Sequence, residues 1–435
     1  MTLHRYRKVE GSILNFLESN ERAVDKMARY MDPSNDEKQL SKIEFLSQFC
    51  EDEELFLGKR EVSYAALTMG LKANANAIGN CAMVATSAMS SYVNCSKEQS
   101  ILREVIDSIE GKSDYEFFHN MRVTKKTFDY ILTIIKEQYT AVYRGGFIPL
   151  DPKSALCICL WYLGSKSTYK NIGEIFGIAP STVFECVQKV VNILCKSTDI
   201  FIKWPRDEEI TEKEEEFKSI AGIPGVIGAI GKCHIEIRNP SDAHPKYMNK
   251  TSTHSLLLVA VCDVNKKFMY MHAGIPGSTP EEDIFKSVSL YDKIIDEPHL
   301  LFPSLHYHLV GDPAFGLSKY LLVPFTSKEN LTVMEESYNA KLVKTLYVIE
   351  NAFYFLKERF PRLKYVDSDV KRIPQIIKAC CVLHNITTDI PEEEAFLLNE
   401  NSIDPLNYPE VIQMEADFPI DTEGYGKRDM IVNML

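Results

Sequence analysis

Apolar positions along this chain keep a helical period first and a strand period later. In residues 1–64, Val9, Ile13 and Phe16, then Val24 and Met27, recur every three to four positions. Asp32-Pro-Ser-Asn-Asp36 breaks that run, and a second helix is expected over Lys38–Cys50. Residues 65–97 are rich in Ala, Ser, Asn and Met without a firm period, which leaves a loose helix and a disordered linker both open. Two helices are expected over 98–145. The second starts near Thr124 and stripes Phe128, Ile131 and Ile135 on one face, and Tyr143-Arg-Gly-Gly-Phe then turns the chain.

Residues 151–197 carry the pattern of a helix-turn-helix. One helix covers Pro152–Gly164 and a short one runs from Ser167 to Phe176. Gly177-Ile-Ala-Pro-Ser supplies a tight turn with Ser181 or a neighbour as N-cap. Thr182–Leu194 is the recognition-type helix, with Val183, Val187, Val190 and Leu194 facing a core. Lys170 on the short helix and Thr182 and Lys189 on the recognition-type helix are the DNA-contact candidates. Glu185 sits near the front of that helix, where a carboxylate has the wrong sign for phosphates. A three-helix packing unit without DNA would show the same apolar pattern.

After an acidic run from Asp207 to Glu216, expected as a solvated helix face or linker, the period shifts to two. Strands are expected at Val226–Ile237, Thr253–Val261 and Lys267–Ala273, with a hairpin turn at Asp263-Val-Asn-Lys. A helix over Glu281–Leu290 and a strand over Leu305–Gly311 follow, then helices at about 335–358 and 373–386. Hairpin strands, a crossover helix and a further strand backed by helices describe an α/β RNase H-like core behind an all-α helix-turn-helix region. The expected organisation is a helical extension at 1–110, the all-α region at 111–206, the α/β domain at 207–390 and an acidic tail at 391–435.

Composition narrows the reading. In 435 residues, 45% hydrophobic and 25% charged content is that of a folded globular chain. A net charge of −12 argues against a dedicated nucleic-acid binder. The eleven cysteines are odd in number and lack metal spacing, which fits buried reduced thiols. The start, Met-Thr-Leu-His-Arg-Tyr-Arg, does not read as a signal peptide, and Ala65–Val93 is too interrupted by polar residues for a membrane span. A nuclear or cytosolic protein with no membrane contact is expected.

The candidate chemistry rests on two carboxylates. Asp312 ends the fourth strand, and Glu350 borders the apolar stripe of a long helix. Around divalent ions, such groups supply the hard oxygen ligands of metal-assisted hydrolysis. His306-Tyr-His308 reads as strand alternation and not as a ligand pair.

Several motifs in order carry a family resemblance. They include Gly222-Ile-Pro-Gly-Val-Ile-Gly-Ala-Ile, Tyr247-Met-Asn-Lys, Pro276-Gly-Ser, Gly311-Asp-Pro-Ala-Phe, Ile349-Glu-Asn-Ala-Phe and Ala379-Cys-Cys-Val-Leu-His-Asn-Ile. From about residue 115 to Lys427-Arg-Asp, the chain resembles the PIF/Harbinger transposases and the host nuclease-like proteins derived from them. The resemblance implies a DDE site using magnesium or manganese. It places the first Asp at position 231, here Gly231, the second at Asp312 and the Glu at Glu350. An Asp common after Pro-Gly-Ser falls at Glu281, with Asp283 nearby, and a position usually Gly is Lys232. Divalent metal binding is therefore expected to be weak or lost.

No other acid replaces the missing one on sequence grounds. Glu236 lies at an odd spacing from Gly231 and so on the opposite strand face. Asp263 reads as a turn residue, and Asp242 lies in a loop. Lys232 is expected to turn inward, toward Asp312 or Glu350, only if the strand bulges or ends there. The leading expectation is a catalytically inactive nuclear scaffold or chromatin- or DNA-associated protein, domesticated from a transposase. The resemblance implies a Myb/SANT-like partner or a chromatin complex. The alternative is an active metal-dependent endonuclease using Asp312, Glu350 and a non-standard third acid.

Overall fold

In a computed structural model of the chain, residues 100–139, 150–240, 245–326, 331–390 and 421–435 are described. The expectations for residues 1–97, the 143–147 turn, Asp242 and the acids of 391–420 lie outside those residues. Helix α1 (Asp114–Met121) opens on a capping box between Ser113 and Glu116. The Thr124 hydroxyl accepts from the Thr127 amide to start α2 (Lys125–Gln138) where the periodicity placed it. Helix α3 (Pro152–Gly164) is buried on nearly every face, which explains its uninterrupted apolar run.

Helices α4 (Tyr169–Phe176) and α5 (Pro180–Lys196) meet at 102°. Gly177 closes α4 in the left-handed region at φ 67°, which a glycine adopts without a Cβ penalty. The N-cap of α5 is Ala179 and not Ser181, and no side chain caps it. Pro180 at the first helical position has no N–H in need of a partner. The acidic run forms helix α6 (Asp207–Ala221), which buries Ile210 and Phe217 and is not a linker.

The sheet has the order β3-β2-β1-β4-β5. Strands β1 (Val226–Glu236), β2 (Ser255–Cys262) and β3 (Phe268–Pro276) form an antiparallel meander. Strands β4 (His308–Val310) and β5 (Leu321–Leu322) add parallel to β1. β1 is therefore central. The helix expected at Glu281–Leu290 is broken into a turn at Glu281–Ile284, a 3-10 turn and α7 (Ser289–Asp296).

Helices α8 (Val333–Arg359) and α9 (Ile373–Thr388) cover one sheet face. The apolar cluster there continues without a break into α2, α3 and α5, so the helical region and the sheet share a core. A second cluster on the opposite face joins Ile227, Ile230, Val259 and Leu309 to Phe285, Leu290 and Phe302. In the segment expected as an acidic tail, Thr422–Met434 is a helix, α10. Its Lys427 ammonium donates to the Tyr307 and Lys319 carbonyls, and Arg428 lies 3.6 Å over the Phe325 ring.

Two polar residues pin α9 in place. Asn385 exchanges hydrogen bonds with the Phe268 backbone of β3 and donates to the Phe201 carbonyl. The buried His384 ring bonds the Lys266 carbonyl at 2.9 Å and packs 4.9 Å from Phe268. Burial holds the His384 imidazole down at about 4, from an ordinary 6.5. The unfolded chain therefore binds a proton there first, so the stabilisation is complete above about pH 6.5 and is lost as pH falls toward 4. Urea denaturation across that window should show the stability gap between the natural chain and His384→Gln narrowing with acid. A gap that stays constant would contradict this role.

Candidate functional site

The site is set by how β1 presents its side chains. Its pairing with β2 runs unbroken from Ala229↔Cys262 to Glu236↔Ser255, so consecutive residues leave the sheet on opposite faces. Ala229, Cys233 and Ile235 belong to the cluster under α8, and Ile230 to the opposite one. Gly231 follows the α8 face. A Cβ built there would lie 2.9 Å from Ile349 Cγ1 and 3.1 Å from Phe353 Cε2. Position 231 thus meets an apolar helix face with no room for a side chain.

Lys232 leaves on the other face, with no bulge in the β1–β2 ladder, which corrects the expectation that it turns inward only at an irregularity. Its ammonium stands 3.7 Å from Asp312 Oδ2 and 3.9 Å from Glu281 Oε1. The nitrogen is sealed from solvent, makes no hydrogen bond of ordinary length and lies 5.9 Å from the Phe315 ring centroid. Glu281 opens the short helix after Pro280 and also pairs with the exposed Lys250 at 2.9 Å. Asp312 caps the 3-10 turn Pro313–Phe315, accepting the Ala314 amide at 2.8 Å. Burial raises the Asp312 carboxyl above its ordinary value. Lys232 and the Ala314 amide pull it back, and Glu281 pushes it further up.

Glu350 is placed elsewhere. It lies half-buried on α8, one residue past Ile349, and its charge is felt by the Cys233 and Cys262 thiols on that face of the sheet. The structure therefore brings together Lys232, Asp312 and Glu281. Gly231 and Glu350 belong to the α8 side. Glu236 is exposed and lines the same cleft as Lys232, as strand alternation requires. Asp263 is more than a turn residue: it is buried, accepts the Lys267 amide and pairs with Lys213 at 3.1 Å.

The cleft beside the triad has a volume of about 610 Å³ and is walled by Lys232, His234, Met248, Lys250, Glu281 and Lys357. His234 bonds Ser255 Oγ at 2.9 Å. Burial lowers its pKa first, and the Lys232 and Lys357 ammoniums lower it further. Lys250 ends the Tyr247-Met-Asn-Lys motif, and Lys357 lies on α8, but neither was a site candidate from the sequence.

A divalent-metal centre is not a fit for these residues. Among the described residues, no group of three or more His, Cys, Asp or Glu side chains could hold an ion. The two acids that do meet already share an ammonium. Of the DNA-contact candidates, Lys170 is exposed on α4 and Thr182 is half-buried in the first turn of α5. Lys189 lays its ammonium 3.6 Å over the Tyr139 ring. The apolar face of α5 packs on α3 and α9, and Arg372 stacks 4.5 Å over Phe184.

These contacts give position 231 a measurable cost. Gly231→Ala should destabilise the fold by about 1–3 kcal/mol through overpacking against Ile349 and Phe353. Gly231→Asp should cost more, because it also buries a carboxylate without a partner. Chemical denaturation measures both, and an aspartate variant as stable as the natural chain would refute this packing.

Comparison with known proteins agrees with the architecture. The DDE superfamily endonuclease family matches residues 230–385. HARBI1, a nuclease candidate, from Bos taurus and Homo sapiens is 31% identical over 245 residues, covering 55% of this chain and 68% of each relative. The ALP1-like protein of Arabidopsis thaliana is 28% identical over 301 residues, 65% of this chain and 73% of its own. Antagonist of like heterochromatin protein 1, from the same plant, is 27% identical over 304 residues, 66% of this chain and 76% of its own. No solved structure matches. Fold, motif order and relatives together place this chain in the Harbinger transposase-derived nuclease family of the DDE superfamily.

Proposed function

We propose that this chain keeps the nuclease fold without strand cleavage and works as a nuclear binding protein of a chromatin complex. The observation that carries this reading is position 231. DDE superfamily endonucleases use divalent metals, and the position that the resemblance gives to the first acid is a glycine packed against Ile349 and Phe353. Without that acid, too few carboxylates converge to neutralise two divalent ions.

Protein contact suits the remaining features better than DNA reading. The chain carries a net charge of −12, and the exposed Glu185 lies on the helix that a DNA reader would use. Lys189 is engaged with Tyr139. A Myb/SANT-like partner follows from the family resemblance, and one relative's name refers to heterochromatin.

The rival reading is a metal-dependent endonuclease on Asp312, Glu350 and a non-standard third acid. It draws on Glu281 beside Asp312, but it requires that Lys232 be displaced. Plasmid nicking in magnesium or manganese separates the two. The natural chain should nick no faster than its Asp312→Ala variant. Nicking by the natural chain that disappears in Asp312→Ala would establish the endonuclease.

A further inference from the structure

Asp312 and Glu281 meet a cation that the chain itself supplies. Their side chains are 23% and 18% exposed, and two carboxylates brought this close out of water repel each other unless a positive charge lies between them. The Lys232 ammonium occupies that point. Its stem rises from the central strand, where Lys232 pairs with Val259 inside an unbroken ladder, so the position of the nitrogen is fixed by the sheet.

The fit is one of charge and not of hydrogen bonding. At 3.7 and 3.9 Å the ammonium is too far from either acid for an ordinary hydrogen bond, yet it is closed off from solvent. Buried donors without partners are rare, and this one stands between two carboxylates with the Phe315 ring 5.9 Å away. Lys250 also neutralises Glu281, but its side chain is 80% exposed and its charge is screened by salt.

We propose that Lys232 is the resident cation of this site, and that removing its ammonium opens a divalent-cation site on Asp312 and Glu281. The distances suit an ion that keeps part of its water shell, or one bound directly after a small inward rotation of both side chains. Glu350 is not part of this ligand set, because it lies on α8 beside Cys233 and Cys262. The proposal concerns ion binding and stands whether or not the chain cleaves DNA.

Manganese binding to the full chain tests it, read by calorimetry and by electron paramagnetic resonance of the bound ion. Lys232→Ala should bind Mn²⁺ at least about tenfold more tightly than the natural chain, since a buried like charge is gone. Adding Asp312→Asn or Glu281→Gln should remove that gain, and adding Glu350→Gln should leave it intact. Lys232→Met, which keeps most of the stem's volume, serves as the second variant if the alanine chain folds poorly. The proposal is overturned if neither variant gains affinity, or if the gain survives Asp312→Asn. It is equally overturned if the natural chain already binds Mn²⁺ through Asp312.

Discussion

Consecutive side chains on β1 leave the sheet in opposite directions, and that alternation distributes everything around the site. Because the ladder to β2 is regular from Ala229 to Glu236, one residue of sequence separates an apolar helix contact from a buried charge. Gly231 lets α8 come close. Lys232 crosses to the other face and meets Asp312 and Glu281. A one-residue slip would bury the ammonium under Ile349 and Phe353, so the ion triad and the packing of α8 reinforce the same register.

The rest of the fold holds these partners in place. Asp312 is fixed by the 3-10 turn it caps, at the point where β4 runs parallel beside β1. Glu281 is fixed by Pro280 and by the short helix that follows. On the other face, α9 is tied to β3 through His384 and Asn385, and a continuous apolar cluster joins the sheet to α3 and α5. That shared core also takes in α5. Its apolar face is spent on neighbouring helices, and Lys189 on an aromatic ring.

Much of this was legible in the sequence where a strong period spoke for itself. The boundaries of α3, the start of α2 and the three meander strands follow from apolar spacing, turn residues and caps. What the sequence misjudged was tertiary. A three-residue β4 is too short to announce its bounds, and α5 starts at Pro180, which leaves Ser181 inside the helix, where it cannot be the N-cap. At the site, Asp312 was visible as a strand-end acid, and Glu281 only through resemblance. The pairing of Lys232 with Asp312 was expected only for a strand that bulges or ends there, whereas the regular ladder itself sends Lys232 to the face that Asp312 meets. The Asp312 side chain meets that face through a 3-10 turn that no period encodes.

The central claim is that a lysine, and not a metal ion, stands between Asp312 and Glu281. Crystals of the natural chain soaked in Mn²⁺ and measured for anomalous scattering test it most directly. The map should hold no anomalous peak between the two acids, and ordinary density should place the Lys232 ammonium there. A strong peak between Asp312 and Glu281, with the lysine swung away, would contradict it.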